Sequence, residues 1–388
     1  MRVGIVTTSY PRSADDPAGT FVMGHARWLA AAGHEVDVVA AGDSNESTPP
    51  IDGVRVTRVG TGAANLFYSG GAPETLARSR RRWLDAAAFS SALVPRIARH
   101  ARNWDGIFAH WLAPCALAAA VAAPRTQLVG IAHSGDVHLL RRLRLIRSSA
   151  RLLRFKRARL AFVTNQLRGL FLKELEGKTK RLIYERSSVC AMGIDVDRFR
   201  AASDDACARV PPTILFLGRL VPVKGIPTLI EAVGRLRSSA RLVVAGDGPE
   251  KSSLLDLSAR CGVDVDFIGE IRGRQRDQLI ASASVMVLPS TRVEGGRSEG
   301  LPVSVLEAMA TGVPVIASAV GGLVELPADS VRLVRPDQPA ELARAIDEVL
   351  SQPASMTAQI GVGHEVAAAH DWSEVGPKLL KMFHRREK

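Results

Sequence analysis

Ser298-Glu299-Gly300-Leu301-Pro302-Val303-Ser304-Val305-Leu306-Glu307-Ala308-Met309-Ala310 is the stretch on which the fold turns. Ahead of it, Val285-Met286-Val287-Leu288-Pro289-Ser290 is a short apolar run stopped by proline, which predicts a buried parallel strand. Behind it, Thr311-Gly312 ends a helix and Val313-Pro314-Val315-Ile316-Ala317 opens another strand. The unit is strand, loop, helix, strand. Its loop leaves the carboxyl end of a strand, where open α/β sheets bind ligands. Glu299 falls in that loop, Pro302 suits the first helical turn, and Glu307 follows in the second. First-turn amides are unpaired and electropositive. Beside two carboxylates they suit a ligand carrying both hydroxyls and phosphate. The plainer reading is an acid that stabilises the helix dipole and a solvated Glu307.

The same alternation extends upstream. Thr213–Leu217 reads as a strand, Gly218–Gly225 as its loop, Ile226–Leu236 as a helix and Arg241–Ala245 as the next strand. It also stands at the N-terminus: strand Arg2–Ser9, polar loop Tyr10–Gly19, helix Thr20–Ala32, strand Glu35–Ala40. Further strands end in His110 and in His133. Arg200–Pro212 is small, polar and closed by proline, which suits an interdomain linker. The sequence therefore predicts an α/β protein with two Rossmann-like doubly wound parallel-sheet domains, over 1–205 and 206–369. The first loop lacks Gly-x-Gly-x-x-Gly, so a nicotinamide dinucleotide is not indicated.

Composition narrows the function. At 46% hydrophobic residues the 388-residue chain is no disordered segment. Its net charge of +12 is uneven. Residues 1–205 hold 30 Lys and Arg against 18 Asp and Glu, whereas the remainder holds 21 of each. The excess points to an anionic partner for the first half. Its focus is His138–Leu160, where apolar residues at helical spacing alternate with Arg141, Arg142, Arg144, Arg147, Arg151, Arg154, Lys156 and Arg157. Such a helix suits an anionic membrane surface, a phosphate-bearing acceptor, or a core-packed helix with a solvated basic face. Aromatics are only 5%, which argues against nucleic acid. Four scattered cysteines suggest neither metal site nor disulfide framework. With no signal peptide or transmembrane run evident, a cytoplasmic location is expected, with peripheral attachment at the inner face of the plasma membrane.

Several loops carry candidate site residues. Arg219 and Lys224 lie five residues apart on one loop at a strand's carboxyl end, and two fixed cations suit a diphosphate. Gly19 permits close backbone approach at a helix start, or is a turn glycine. His110, His133 and Asp136 follow strand ends; Asp136 either meets sugar or acceptor, or caps the next helix. No Asp-x-Asp metal motif convinces: Asp264-Val265-Asp266 leads into a strand and reads as structural.

Glu-Gly-Leu-Pro…Leu-Glu-Ala-Met-Ala-x-Gly-x-Pro-Val, followed by Gly321-Gly322-x-x-Glu325, resembles the donor-site signature of glycosyltransferase family 4. The resemblance continues through Phe216–Gly225 and Leu242–Pro249, in register over roughly residues 213–326. It implies a retaining transferase of GT-B type, with two domains facing across a cleft, a UDP- or GDP-sugar as donor, and a C-terminal helix, 370–388, that returns to the first domain. It implies that Arg219 and Lys224 bind the leaving diphosphate and that Glu299 binds the transferred sugar. Glu307 would bind the ribose, and the backbone of Gly300, Leu301 and Val303, with Gly321 and Gly322, would approach sugar and phosphate. Gly19 would lie near the diphosphate, although many members have a glycine pair where this chain has Ala18-Gly19. His133 would serve the sugar end, with His110 and Asp136 candidates for sugar or acceptor. No metal cofactor is expected. The expected acceptor is a lipid-linked or cell-surface glycan; a small soluble acceptor, or a non-catalytic nucleotide-sugar binder, is the alternative.

Overall fold

Runs of β-branched and aliphatic residues, each followed by a polar loop and an amphipathic helix, can bury both faces only as a parallel sheet between helix layers. The computed structural model describes residues 1–13, 16, 18–43, 52–60, 66–68, 76, 81–204, 211–293 and 296–384. These form two compact units, 1–193 with 372–388, and 194–371. From the sequence, Thr61–Pro73 reads as a Gly-rich loop and Arg78–Ala101 as one or two helices; residues 61–65, 69–73 and 78–80 of these, and 205–210 of the linker, lie outside the described residues.

In the first unit the strands are β1 (Arg2–Thr7), β2 (Glu35–Ala41), β3 (Arg55–Val59), β4 (Gly106–His110), β5 (Gln127–Ala132), β6 (Arg159–Phe162) and β7 (Ser187–Val189). All pair in parallel, in the order β3-β2-β1-β4-β5-β6-β7. Burial follows position: β4 is buried throughout, while edge strand β7 is half-buried. Helix Trp372–His384 belongs to this unit and packs on helix Thr20–Ala31 and on β5 and β6.

The second unit holds β8 (Thr213–Leu217), β9 (Arg241–Ala245), β10 (Val265–Gly269), β11 (Val285–Leu288), β12 (Val315–Ser318) and β13 (Arg332–Val334), in the parallel order β10-β9-β8-β11-β12-β13. Successive residues of β8 serve opposite faces. Ile214 and Phe216 enter one apolar cluster with Val285 and Val287, while Leu215 and Leu217 enter the other with Met286 and Leu288. The division between units falls at Gly193/Ile194, ahead of the 205/206 boundary read from the sequence. Ile194, Val196 and Phe199 belong to the second unit's core.

Each sheet reverses its strand order once, between β1 and β4 and between β8 and β11. The loops leaving these strands flank the crevice where such sheets take ligands.

Candidate functional site

In the second unit, the loop after β8 and the loop after β11 meet at the reversal point. Thr291 N–H donates to the Val223 carbonyl at 2.9 Å, and Leu220 N–H donates to the backbone carbonyl of Asp247, in the loop after β9, at 2.9 Å. Pro222–Lys224 form a short 3-10 turn that places Lys224 inward, while the Arg219 side chain is exposed on the same loop. Lys224 Nζ lies 2.7 Å from Glu299 Oε2, and the two side chains keep 14% and 15% of their exposure. A cation and a carboxylate from loops on opposite sides of the reversal are thus already joined.

The loop carrying Glu299 is fixed through its backbone. Gly300 accepts the N–H of Gly322 at 3.0 Å. Gly321 has φ 59°, and a Cβ there would stand 2.0 Å from the Glu299 carbonyl oxygen. Only glycine lets the two loops approach so closely. Leu301 and Val303 pack on the core, and the helix Val303–Ala310 begins directly after Pro302.

Glu307 is not solvated. Its side chain is 9% exposed and is bonded to the guanidinium of Arg276, which also lies 3.7 Å from Asp277. Asp277 in turn takes a two-pronged bond from Arg198, at 2.7 and 3.1 Å. Burial opposes the charge on Arg276, but Glu307 and Asp277 outweigh it and hold the guanidinium's pKa above its usual value. Asp266, the one acid of the Asp-x-Asp spacing inside a strand, pairs with Arg241 on β9, in keeping with its structural reading.

In the first unit three histidines form a chain. His110 Nδ1 lies 3.0 Å from His133 Nε2, and His110 Nε2 lies 3.2 Å from Nδ1 of His25, on helix Thr20–Ala31. His25 and His110 are fully buried; His133 is half-buried, its ring against Phe21 and Trp111. Desolvation pushes His25 and His133 down to about 3 and His110 well below its usual value, so all three are neutral. His110 can therefore meet a ligand only through His133. Asp136 is 3% exposed and accepts from the backbone of Leu112 at 2.6 Å and of His133 at 3.1 Å. It clasps the ends of β4 and β5, and burial raises its carboxyl to about 6. Gly19, with φ 75°, caps helix Thr20–Ala31; a Cβ there would stand 2.4 Å from the Ser9 carbonyl oxygen.

The basic stretch is not one helix. It divides into Gly135–Arg142 and Ile146–Phe155, with Arg144 and Arg157 both in the left-handed region at φ 56°. Arg141 pairs with Glu174, Arg147 with Glu176, and Lys156 donates to the carbonyls of Ala123 and Thr126. Arg154 is half-buried. Arg142, Arg144, Arg151 and Arg157 are exposed, with Leu143, Leu145 and an 89% exposed Phe155 among them.

Arg276, Arg198 and His25 are the residues that sequence reasoning missed. Arg276 stands in a polar run, Arg272-Gly-Arg-Gln-Arg-Asp, that looks solvated. His25 did leave a signal: it shares the helical face of Val22, Ala26 and Leu29.

No helix among the described residues is long and apolar enough to cross a membrane, and no group of three metal-ligating side chains occurs among them. Two family models match the chain. Glycosyl transferases group 1 covers residues 206–362, and the glycosyl transferase 4-like domain covers residues 18–182. The chain is 32% identical over 206 residues to a GDP-mannose-dependent monoacylated alpha-(1-6)-phosphatidylinositol monomannoside mannosyltransferase of Corynebacterium glutamicum, covering 49% of this chain and 54% of that one. It is 33% identical over 255 residues to the putative teichuronic acid biosynthesis glycosyltransferase TuaC of Bacillus subtilis, covering 62% and 60%. The chain thus spans about half the length of the curated relatives it matches. Among solved structures, HepE of Anabaena in complex with UDP-glucose superposes with a TM-score of 0.73 at 19% identity, over 99% of both chains. With one family model on each parallel-sheet unit, and that fold shared with solved GT-B enzymes, the chain belongs to the family-4-like glycosyltransferases.

Proposed function

We propose that this protein moves a hexosyl-type sugar from a nucleotide diphosphate sugar, UDP- or GDP-linked, to an acceptor hydroxyl, with retention at the transferred carbon. The observation that carries the reading is Lys224 joined to Glu299 at the reversal point of the second sheet. An incoming diphosphate competes for Lys224 and draws it off the carboxylate, with Arg219 on the same loop as its second cation. Glu299 is then left to accept from the sugar hydroxyls. As the bond to the diphosphate breaks, charge grows on the leaving group, and fixed cations stabilise it more than they stabilise the ground state. Two such cations perform the charge neutralisation that a divalent ion would otherwise supply, so we read the reaction as metal-independent. Glu307, oriented by Arg276, accepts from the ribose hydroxyls, and the amides of Gly300, Leu301 and Val303 meet sugar and phosphate beside Gly321 and Gly322. The acceptor attacks on the face the leaving group vacates, since a double-displacement route needs a second carboxylate at the reacting carbon.

A lipid-linked or cell-surface acceptor is supported by the exposed arginines around Phe155 and by the lipid named for the Corynebacterium relative. Such a face suits an anionic bilayer at the cytoplasmic side. Thermal-shift measurements with UDP, GDP, ADP and their sugars test the donor site. One nucleotide at about a hundred times its dissociation constant should add roughly 2.7 kcal/mol, unchanged by EDTA. The anomer of the product, read by NMR, tests retention; an inverted product overturns it. Activity that persists without any binding to anionic vesicles favours a small soluble acceptor.

A further inference from the structure

The first unit holds a feature that the roles above leave unused: two fully buried histidines behind His133. Each neutral imidazole has one N–H and one lone pair. Two successive ring-to-ring hydrogen bonds therefore lock the three tautomers together, and only two arrangements exist. In one, every ring donates inward, and the proton on His25 Nε2 is buried without an acceptor. In the other, every ring donates outward: His25 Nδ1–H to His110 Nε2, and His110 Nδ1–H to His133 Nε2.

The surroundings of His25 decide between them. Its Nε2 is buried and has no hydrogen-bond partner, and its ring is stacked flat on Trp372 at 5.3 Å. An orphaned buried N–H is rarer than an under-used acceptor. The outward arrangement leaves a bare lone pair at that atom, and it leaves His133 with its proton on Nδ1, the ring nitrogen that has no partner among the described residues. The backbone at both joints is strained in support. Trp111 (φ 68°) directly follows His110, and Ser134 (φ 101°) directly follows His133; neither is glycine. Strain of this kind persists where surrounding structure imposes it, and it collects at ligand sites.

We propose that His25 and His110 are positioning residues that hold His133 in its Nδ1–H tautomer, so that the ring offers a hydrogen-bond donor to a hydroxyl oxygen of the transferred sugar. This rests on the sugar-transfer reading for the ligand, but not for the relay itself. A histidine free in water favours the opposite tautomer, so the relay reverses an intrinsic preference. It also makes the pocket selective, since a sugar hydroxyl must present its lone pair, rather than its proton, to this ring.

Long-range proton–nitrogen NMR of the whole protein, labelled with nitrogen-15 histidine, reads the tautomers directly. Loss of a peak in single variants assigns each ring. The wild-type spectrum should show His133 protonated at Nδ1. His110→Phe, which keeps an aromatic ring in the stack, should release His133 toward the Nε2–H form. His110→Asn, whose amide can still donate where Nδ1–H did, should keep it at Nδ1–H. In the transfer assay His110→Phe should lose roughly three- to tenfold in kcat with little change in donor KM, and His110→Asn should recover most of it. Should His110→Phe fail to fold, the wild-type and His110→Asn spectra still decide. His133 protonated at Nε2 in the wild type overturns the proposal, as does a His110→Asn spectrum that matches His110→Phe. The spectra need no substrate. A protein with the expected tautomers and no transferase activity would therefore overturn the sugar-transfer reading and leave the relay standing.

Discussion

Glu307 and Arg276 illustrate how much one side chain decides. The carboxylate is 9% exposed, and its charge is compensated by a guanidinium that no local sequence signal singles out. Glu307→Ala leaves Arg276 in a buried position with only Asp277 nearby, and breaking such a pair from one side costs about 3–5 kcal/mol. The double variant Glu307→Met with Arg276→Met removes both charges and should recover much of that loss in denaturant unfolding, while failing to bind nucleotide. If single and double variants are equally unstable, the pair is not the main support of that helix. The histidine chain sets a second residue-scale expectation. Depressed values on His25, His110 and His133 mean that the unfolded chain binds more protons than the folded one below the ordinary histidine value of 6.5. Their contribution to stability is present above 6.5 and is lost as pH falls toward 3. Asp136 works oppositely: its raised value makes the folded state lose stability as pH rises from about 4 through 6. Three groups outweigh one, so the first unit's melting temperature should rise between pH 5 and 7, and His25→Phe should flatten that rise. A melting temperature that falls over this interval would mean the histidines are not held neutral.

At the scale of the element, legibility followed burial. Strands β8, β11 and β12 were readable because both of their faces are covered, which leaves an uninterrupted apolar run. The loop from Glu299 to Val303 was readable because proline and glycine punctuate it. The basic stretch was misread as one helix because its breaks fall at Arg144 and Arg157, and arginine does not announce a left-handed turn. The Lys224–Glu299 bond joins residues 75 positions apart, and the bond from Arg276 to Glu307 depends on how two helices pack. No spacing rule reaches such contacts. The same reasoning makes Gly321 an exacting position in the loops at the second sheet's reversal, as is Gly225, whose Cβ would stand 2.0 Å from the Pro289 carbonyl oxygen. Gly321→Ala must push the Glu299 carbonyl away and also adopt a positive φ. It should destabilise the second unit by about 1–3 kcal/mol and weaken the nucleotide-induced thermal shift. Gly262, also at positive φ (64°) but with nothing near its missing Cβ, is the control. Gly262→Ala should bear only the backbone strain and leave the thermal shift intact. Equal effects on nucleotide binding would mean that the Glu299–Gly321 approach is irrelevant to the site.

At the scale of the whole molecule, the chain leaves the first unit at Gly193 and returns to it at Trp372. The return is built by side chains meeting bare backbone. The Trp372 ring lies against Gly24 and Gly193, Trp28 covers Gly376, and Phe383 meets Phe108 at 4.4 Å. A Cβ at any of those glycines would collide with an indole, so the helix Trp372–His384 is part of the first unit's core rather than an appendage. Trp372 is 7% exposed and also covers His25, so Trp372→Ala should cost about 3–5 kcal/mol. Each unit has its own sheet, and the second unit's two apolar clusters are built from its own residues alone, so that loss should stay on one side of the division. Hydrogen exchange read by mass spectrometry should show faster exchange in peptides from β1, β4 and β5 of the variant, and unchanged exchange in peptides from β8, β11 and β12. The nucleotide-induced thermal shift, which the proposed function assigns chiefly to Lys224, Glu299 and Glu307, should survive. If protection falls equally in both units, they unfold as one cooperative body, and stability of the loops carrying Lys224 and Glu299 would then depend on the aromatic contacts that close the chain.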